Sequence, residues 1–395
     1  MFTGLKVLEL ASVLAGPSVG QFFAELGAEV IKVENPKTGG DVTRSWKLAT
    51  ESDSDVSAYY SAINWGKKSI GIDISKPEGN ELIYKLIAET DVVLVSYKPG
   101  DAEKLGVDYR TLCKYKSDII YGHITGYGSD DPRVGYDAII QAESGLMYMN
   151  GEPGGQSLKM PVALVDVLAA HQLKEALLLA IIRHMRTSEG NYVHVSLIDA
   201  AVSALVNQAT NYLVAGHVPQ KKGSAHPNIS PYGEAFNCAD DTALILAVGN
   251  DKQFGQLCQL LDIEELSDDS RFVTNAQRVI NRGKLNAYLA ESFKEKEADE
   301  WHALLIEAKI PCGKILPMDQ VFAQNSAKNL VFSNLDQELH QCGLRTFVGE
   351  IEKLDRIPHI IPPVHFGENT DEVLLSKNIL NQSELDIMRQ KGIIM

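Results

Sequence analysis

The group in this chain best placed to do chemistry is Asp166, at the mouth of a long apolar helix. In the stretch PVALVDVLAAHQLKEALLLAIIR (161–183), Val167, Leu168, Leu173, Ala176, Leu177, Ala180 and Ile181 recur at helical spacing. Lys174, Glu175 and Arg183 are left for the other faces, so the helix packs into a core. Asp166 falls just before or within the first turn, where unpaired N–H groups and the positive end of the dipole favour an ionised carboxylate. Taken alone, the local pattern favours an N-cap. A positioned carboxylate is also a nucleophile for an acyl carbon.

A second group of residues could hold an anion. Strand 92–95 ends in Ser96-Tyr97-Lys98-Pro99-Gly100, and Lys104 follows closely. In an open α/β sheet, ligands collect outside the carboxyl ends of the strands, so this basic and aromatic segment reads as half of a pocket. The Lys67-Lys68 pair stands before an alternating strand at 69–74 and reads as a solvated edge.

The elements that must position these groups alternate. Lys6–Leu10, 19–26 and 30–34 read as strand, helix, strand, with Gly16-Pro17 opening the helix and Gly27 closing it. No Gly-x-Gly-x-x-Gly follows the first strand, which disfavours a nicotinamide or flavin. Helix 77–89, strand 119–124, helix 138–149, strand 192–196 and helix 200–214 continue the pattern, predicting an α/β fold with a mainly parallel sheet. At 216–233, GHVPQKKGSAHPNISPYG is too rich in Gly, Pro and polar residues for a regular element. It reads as a linker or substrate loop into a smaller α+β domain, with a strand at 243–248 and helices near 253–261, 276–293 and 298–308.

The net charge of −15 repels polyanions, so nucleic acid and anionic membrane are not expected partners. The chain has no run of about 18 apolar residues and starts directly in a strand pattern, so a cytoplasmic protein is expected. Cys113, Cys238, Cys258, Cys312 and Cys342 lack metal-site spacing, so neither a disulfide framework nor a structural zinc is expected.

Several stretches together resemble the class III CoA-transferase family, which includes formyl-CoA transferase, carnitine CoA-transferase and the α-methylacyl-CoA racemases. They are VLELASVLAGPSVGQFFAELGAEVIKVE (7–34), GGDVTR (39–44), KKSIGIDISKPEG (67–79), DVVLVSYKPG (91–100), ITGYG (124–128), GYD (135–137), the Asp166 helix, IPCG (310–313) and GENTDEVL (367–374). The resemblance spans nearly the whole chain. It implies a Rossmann-like large domain, 1–215 completed by 331–395, a small α+β domain at 216–330, and an interlocked homodimer. It also implies transfer of CoA from an acyl-CoA to a free carboxylic acid through a covalent aspartyl intermediate, with no metal.

By the same resemblance the nucleophile falls on Asp166. CoA contacts fall on Leu14, Ala15, Asn35, Ile72, Asp73, Ile74, Ser75, Ser96, Tyr97, Lys98, Lys104, Arg133, Val134, Gly135 and Tyr136. CoA carries a diphosphate and a 3′-phosphate, which Lys98 and Lys104 suit, followed by Lys67, Lys68 and Arg44. Tyr97 could stack on the adenine.

Two departures from the family pattern bear on function. The racemase branch has a Gly-His-Asp motif, but here the middle position is Tyr136, a poor base at neutral pH. His123, His171 and His226 are candidate replacement bases, though each reads first as structural. In place of consecutive glycines the chain has GSAHPNISPYG (223–233), pointing to an acid larger than formate or oxalate, with His226, Asn228 and Tyr232 as acyl contacts. The alternatives are an α-methylacyl-CoA racemase or epimerase and a non-catalytic acyl-CoA binding protein.

Overall fold

The computed structural model describes residues 1–334, 341–352 and 360–395; two parts of the expected 331–395 completing segment, 335–340 and 353–359, lie outside the described residues. Six parallel strands form one sheet: β1 (Lys6–Leu10), β2 (Glu29–Glu34), β3 (Lys67–Gly71), β4 (Val92–Val95), β5 (Ile120–Thr125) and β6 (Asn191–Ser196). Their order is β3-β2-β1-β4-β5-β6. The chain therefore winds outward from β1 in one direction, then returns to place β4 on its other side, with Leu8 paired to both Ile31 and Val93.

Both faces of the sheet are buried, which is why β4 reads as an unbroken apolar run. Side-chain alternation divides the core. Leu8, Leu10, Ile31, Val93 and Val95 face a cluster with Ile83 and Leu86 of the Pro77–Ile87 helix. Val7, Val30, Val92 and Leu94 face Phe22 and Phe23 of the Ala15–Glu25 helix and Leu173 and Leu177 of the Leu164–Thr187 helix.

The expected 69–74 strand begins earlier, at Lys67, so the lysine pair lies inside β3 rather than ahead of it. The helix expected at 19–26 starts at Ala15. Pro17 is tolerated there because first-turn amides have no partner within the helix. The expected 138–149 helix is broken into Asp137–Glu143 and Leu146–Met149 around Gly145, whose φ is 88°.

The chain divides into two compact units. One comprises Met1–Leu146, Lys159–Thr210 and Lys328–Met395; the other comprises Met147–Leu158 and Asn211–Ala327. In the second unit β7 (Tyr232–Asn237), β8 (Ala243–Ala247) and β9 (Cys312–Lys314) form an antiparallel sheet, and helices Asp251–Leu260, Arg282–Phe293 and Ala298–Glu307 surround Phe254, Leu285, Phe293 and Trp301. The Met147–Leu158 segment, expected in the large domain, groups with this unit because Gly151 O accepts from Gly223 N (2.9 Å) and Gly155 O from Lys221 Nζ (2.6 Å). Among the described residues, no helix is long and apolar enough to cross a membrane.

Candidate active site

The strand order reverses between β1 and β4, and an open cleft of about 350 Å³ lies there, beyond their carboxyl ends. Ser12, Val13, Leu14, Ala15 and Gly16 line it from the β1 turn; Ser96, Tyr97 and Lys98 line it from β4; Thr125 and Gly126 from β5; and Arg133, Val134, Gly135 and Tyr136 from the loop that follows. Ser12 N donates to Ser96 Oγ (3.1 Å), tying the β1 and β4 ends together. His123 Nε2 lies 2.7 Å from Tyr97 O and ties the next loop to β5. Glycine is required where two of these loops cross, since a Cβ on Gly126 would sit 2.7 Å from the Gly135 backbone.

Asp166 also lines this cleft, as the third residue of the Leu164–Thr187 helix. The N-cap reading fails, because the cap position is Ala163 and the carboxylate that takes a first-turn amide is Asp137. Asp137 Oδ1 accepts from Val165 N (2.8 Å), and its Oδ2 accepts from Gln141 Nε2 (2.7 Å). Asp137, the first residue of its own helix, thus caps the helix of Asp166. The Asp166 side chain is thereby released from capping, and among the described residues it has no hydrogen-bond partner.

Only 8% of Asp166 is exposed. Burial, reinforced by the negative charge of Asp137, pushes its pKa up to about 7. This corrects the expectation that the helix terminus favours ionisation: desolvation and a like charge outweigh the dipole. The resting carboxylate is poorly solvated, unpaired and poised near neutrality.

A second cavity of about 590 Å³ meets the first at Val13, Leu14, Tyr136 and Asp166. It is walled by Trp46, Tyr59, Ala62, Ala138, Pro161, Val162 and Ala163, with Lys159 its one lining cation among the described residues. Trp46 and Tyr59 meet edge to face, with ring centroids 5.1 Å apart. Sequence reasoning missed Trp46, Tyr59 and Lys159: Tyr59 sits in the four-residue helix Ala58–Ser61, too short to show a period, and Trp46 and Lys159 stand outside regular elements.

Backbone donors stand in the same cleft. The first bonded amide at the start of the Ala15–Glu25 helix is Ser18 N, to Leu14 O (2.8 Å). The N–H groups of Leu14, Ala15 and Gly16 have no acceptor among the described residues. Such a trio can stabilise an oxyanion.

The turn before them is strained. Val13 has a φ of 72°, a conformation that costs a branched residue on the order of 1–3 kcal/mol. Its N–H lies 3.3 Å from each oxygen of the buried Asp41, and a hydrogen bond to a charged group offsets about 1.5–3 kcal/mol. Asp41 in turn sits 3.0 Å from Lys32 Nζ, which also donates to Glu9 Oε1 (2.8 Å) and Ala11 O (2.7 Å). Burial disfavours the Lys32 charge, yet Glu9, Asp41 and Glu34 hold its pKa above the ordinary lysine value.

Two expected phosphate ligands belong to this interior network. Lys67 is fully buried, 2.8 Å from the Glu9 carboxylate, and donates to Pro17 O and Asn64 Oδ1 at 2.8 Å each. Burial, with Lys32 adding to it, pulls the Lys67 pKa down to about 8. Arg44 is buried against Glu34, 2.7 Å away, and stacks 3.8 Å from the centre of the Tyr60 ring. Buried cations need such partners, so neither is available to a ligand. Lys68 pairs with Glu372 at 2.8 Å on the surface.

The other candidates are distributed unevenly. Lys98 and Arg133 line the cleft and are about half exposed; Lys98 is held loosely by Asp101 (3.7 Å), whereas Arg133 pairs closely with Asp131 (2.8 Å) and also with Glu143 (3.3 Å). Lys104 lies outside the lining, 3.2 Å from Asp101. Asn35 caps a short turn by accepting from Lys37 N (3.0 Å). Ile72 and Ile74 are core residues, while Asp73 is buried beneath Lys37 (2.9 Å) and accepts from Ser75 Oγ (2.6 Å). These residues of the β2 and β3 ends do not line the cleft; their exposed cation is Lys37, which sequence reasoning missed. His226, Asn228 and Tyr232 lie in the second unit, where Asn228 N donates to His226 Nδ1 (3.1 Å). His123 is buried with both ring nitrogens engaged, and His171 is exposed.

A doubly wound sheet with a buried carboxylate in the cleft at its reversal point places the chain among α/β proteins that bind a ligand there. The family model for CoA-transferase family III matches residues 2–360, and the chain belongs to that family. It is similar to a succinate–glutarate CoA-transferase of Agrobacterium fabrum, 42% identical over 81% of each chain. It is also similar to the succinyl-CoA:glutarate CoA-transferase of Homo sapiens, 37% identical over 81% of this chain and 73% of that protein. The crystal structure of a CAIB/BAIF family protein from Brucella suis matches with a TM-score of 0.83 and 38% identity, covering 95% of this chain and 99% of the other. The chain is a CoA-transferase, and its substrates are CoA thioesters.

Proposed function

We propose that this enzyme moves CoA between an acyl-CoA and a dicarboxylic acid by covalent catalysis at Asp166. The observation that carries the proposal is the unpaired, nearly buried Asp166 carboxylate at the junction of two cavities. The cleft, with Tyr97, Lys98 and Arg133 in its lining, suits the phosphates and adenine of CoA. The apolar cavity suits the acyl chain.

An Asp166 oxygen attacks the thioester carbonyl, the C–S bond breaks, and a mixed anhydride forms with CoA thiolate as leaving group. The thiolate attacks the aspartyl carbonyl, releasing the donor acid and leaving CoA joined to Asp166. An acceptor carboxylate then attacks that thioester, giving a second anhydride and free thiolate. Attack of the thiolate on the acceptor acyl carbon yields the new acyl-CoA and restores Asp166. In every step an oxyanion develops, and the Leu14, Ala15 and Gly16 amides are the donors at hand. One thioester is exchanged for another, so the sequence needs no external energy source.

Similarity to the succinate- and glutarate-handling relatives favours a dicarboxylic acid. Lys159 is the group that would meet its far carboxylate. Lys159→Met is expected to raise the KM of a dicarboxylic acceptor about three- to fivefold, the size of an exposed ion pair, while leaving a monocarboxylic acceptor unaffected. Initial rates against the two acids check this. Tyr136 lines both cavities at the place where the racemase motif has its histidine, which speaks against the racemase reading.

We take the first unit as the CoA-binding domain and the second as the small domain, in a cytoplasmic homodimer. Leu179, Ile182 and Met185 stand exposed along one helix and would suit a second copy of the chain. The overall reading is tested by incubating the protein with a mixed pool of acyl-CoAs and free acids and identifying new thioesters by mass spectrometry. New dicarboxylyl-CoAs are expected; deuterium entering the acyl α-carbon with no new thioester would overturn the reading.

A further inference from the structure

The turn that carries the cleft's free amides does not hold its shape unaided. Val13 is a branched residue at a φ of 72°, and Val13 and Leu14 line both cavities alongside Asp166. The turn is restrained from two directions by one ammonium. Lys32 Nζ donates to Ala11 O (2.7 Å), two residues before Val13, and lies 3.0 Å from the Asp41 carboxylate that accepts the Val13 N–H. Thr43 N (3.0 Å) and Thr43 Oγ1 (2.8 Å) fix the other side of Asp41. The contacts join β2, which carries Lys32, to the loop after it, which carries Asp41, across the end of β1.

We infer that Asp41 is a positioning residue for the transfer reaction, anchored by Lys32, and that it holds the Val13 turn so that the Leu14, Ala15 and Gly16 amides stay fixed in the cleft with Asp166. The inference rests on the covalent reading above for its effect on rate, and on geometry alone for its effect on the turn. Asp41→Asn isolates the point. One carboxylate oxygen becomes an NH₂ group, which faces either the Lys32 ammonium or the Thr43 donors, while size is kept.

The expected result for Asp41→Asn is a kcat about tenfold lower with an unchanged KM for acyl-CoA. Amide hydrogen exchange should quicken in the peptide spanning 12–16 and stay as it was in β4. Adding Val13→Gly should recover most of the lost kcat, because glycine takes a positive φ without strain. Unchanged exchange at 12–16, a loss confined to KM, or a kcat that Val13→Gly does not recover would each overturn the inference. If Asp41→Asn does not fold, Thr43→Val is measured in the same way, with about a threefold loss expected. A wild-type protein that exchanges no thioester would remove the functional reading, and the amide exchange would still decide whether Asp41 holds the turn.

Discussion

Asp166→Asn is expected to lower CoA transfer by about a thousandfold or more while leaving acyl-CoA binding within the cleft largely intact. An amide of the same shape keeps the packing at the helix start, but its oxygen cannot form an anhydride that CoA thiolate reopens. Steady-state turnover and equilibrium binding of a non-transferable CoA thioester separate the two effects. Asp137→Asn should behave differently. Its oxygen can still accept from Val165 N, so it is expected to retain most of the turnover while acting on the pH dependence of Asp166.

The second large effect concerns pH. In the folded chain, burial and Asp137 raise the Asp166 pKa from 3.8 to about 7. The nucleophile must be ionised, so kcat/KM should fall as the pH drops below about 7. The same displacement acts on stability with a definite sign. Below the unfolded value the carboxyl is protonated in both states and makes no difference. As the pH rises from the unfolded value to the folded value of about 7, the unfolded chain has lost its proton while the folded chain keeps it, so stability falls across that window and the loss is complete above it. Asp166→Asn removes that cost, which reaches as much as about 4 kcal/mol at high pH. Thermal unfolding should therefore show the variant more stable than the wild type at pH 8 and equal to it near pH 4. An equal difference at both pH values would contradict a buried, high-pKa carboxylate. Activity and stability then oppose each other at a single residue.

Much of the architecture is legible in the chain because a parallel sheet buried on both faces writes itself as short apolar runs. Residues 92–95 are such a run, and the helix carrying Asp166 shows its period plainly. Charge placement is less legible. Lys67 and Arg44 look like surface cations until Glu9 and Glu34, on other strands, are brought against them. Nothing local announces a partner 58 residues away, as Glu9 is from Lys67. The cap on the Asp166 helix is similarly remote, since Asp137 stands 28 residues before the amide it takes. Trp46 and Lys159 come from irregular segments and Tyr59 from a four-residue helix, where burial depends on what the fold sets beside them. The motif GGDVTR stands out in the sequence, but its aspartate and arginine serve the interior: Asp41 holds the Val13 turn and Arg44 pairs with Glu34.

The central claim is a transient bond between the Asp166 carboxyl and the group that CoA carries. Mass spectrometry of the proteolysed enzyme, quenched with hydroxylamine during turnover of an acyl-CoA and its acceptor acid, tests this most directly. A hydroxamate on the peptide containing Asp166, absent without acyl-CoA and absent from Asp166→Asn, is the predicted result. Full turnover with that peptide unmodified, or a hydroxamate on a different carboxylate, would contradict the account.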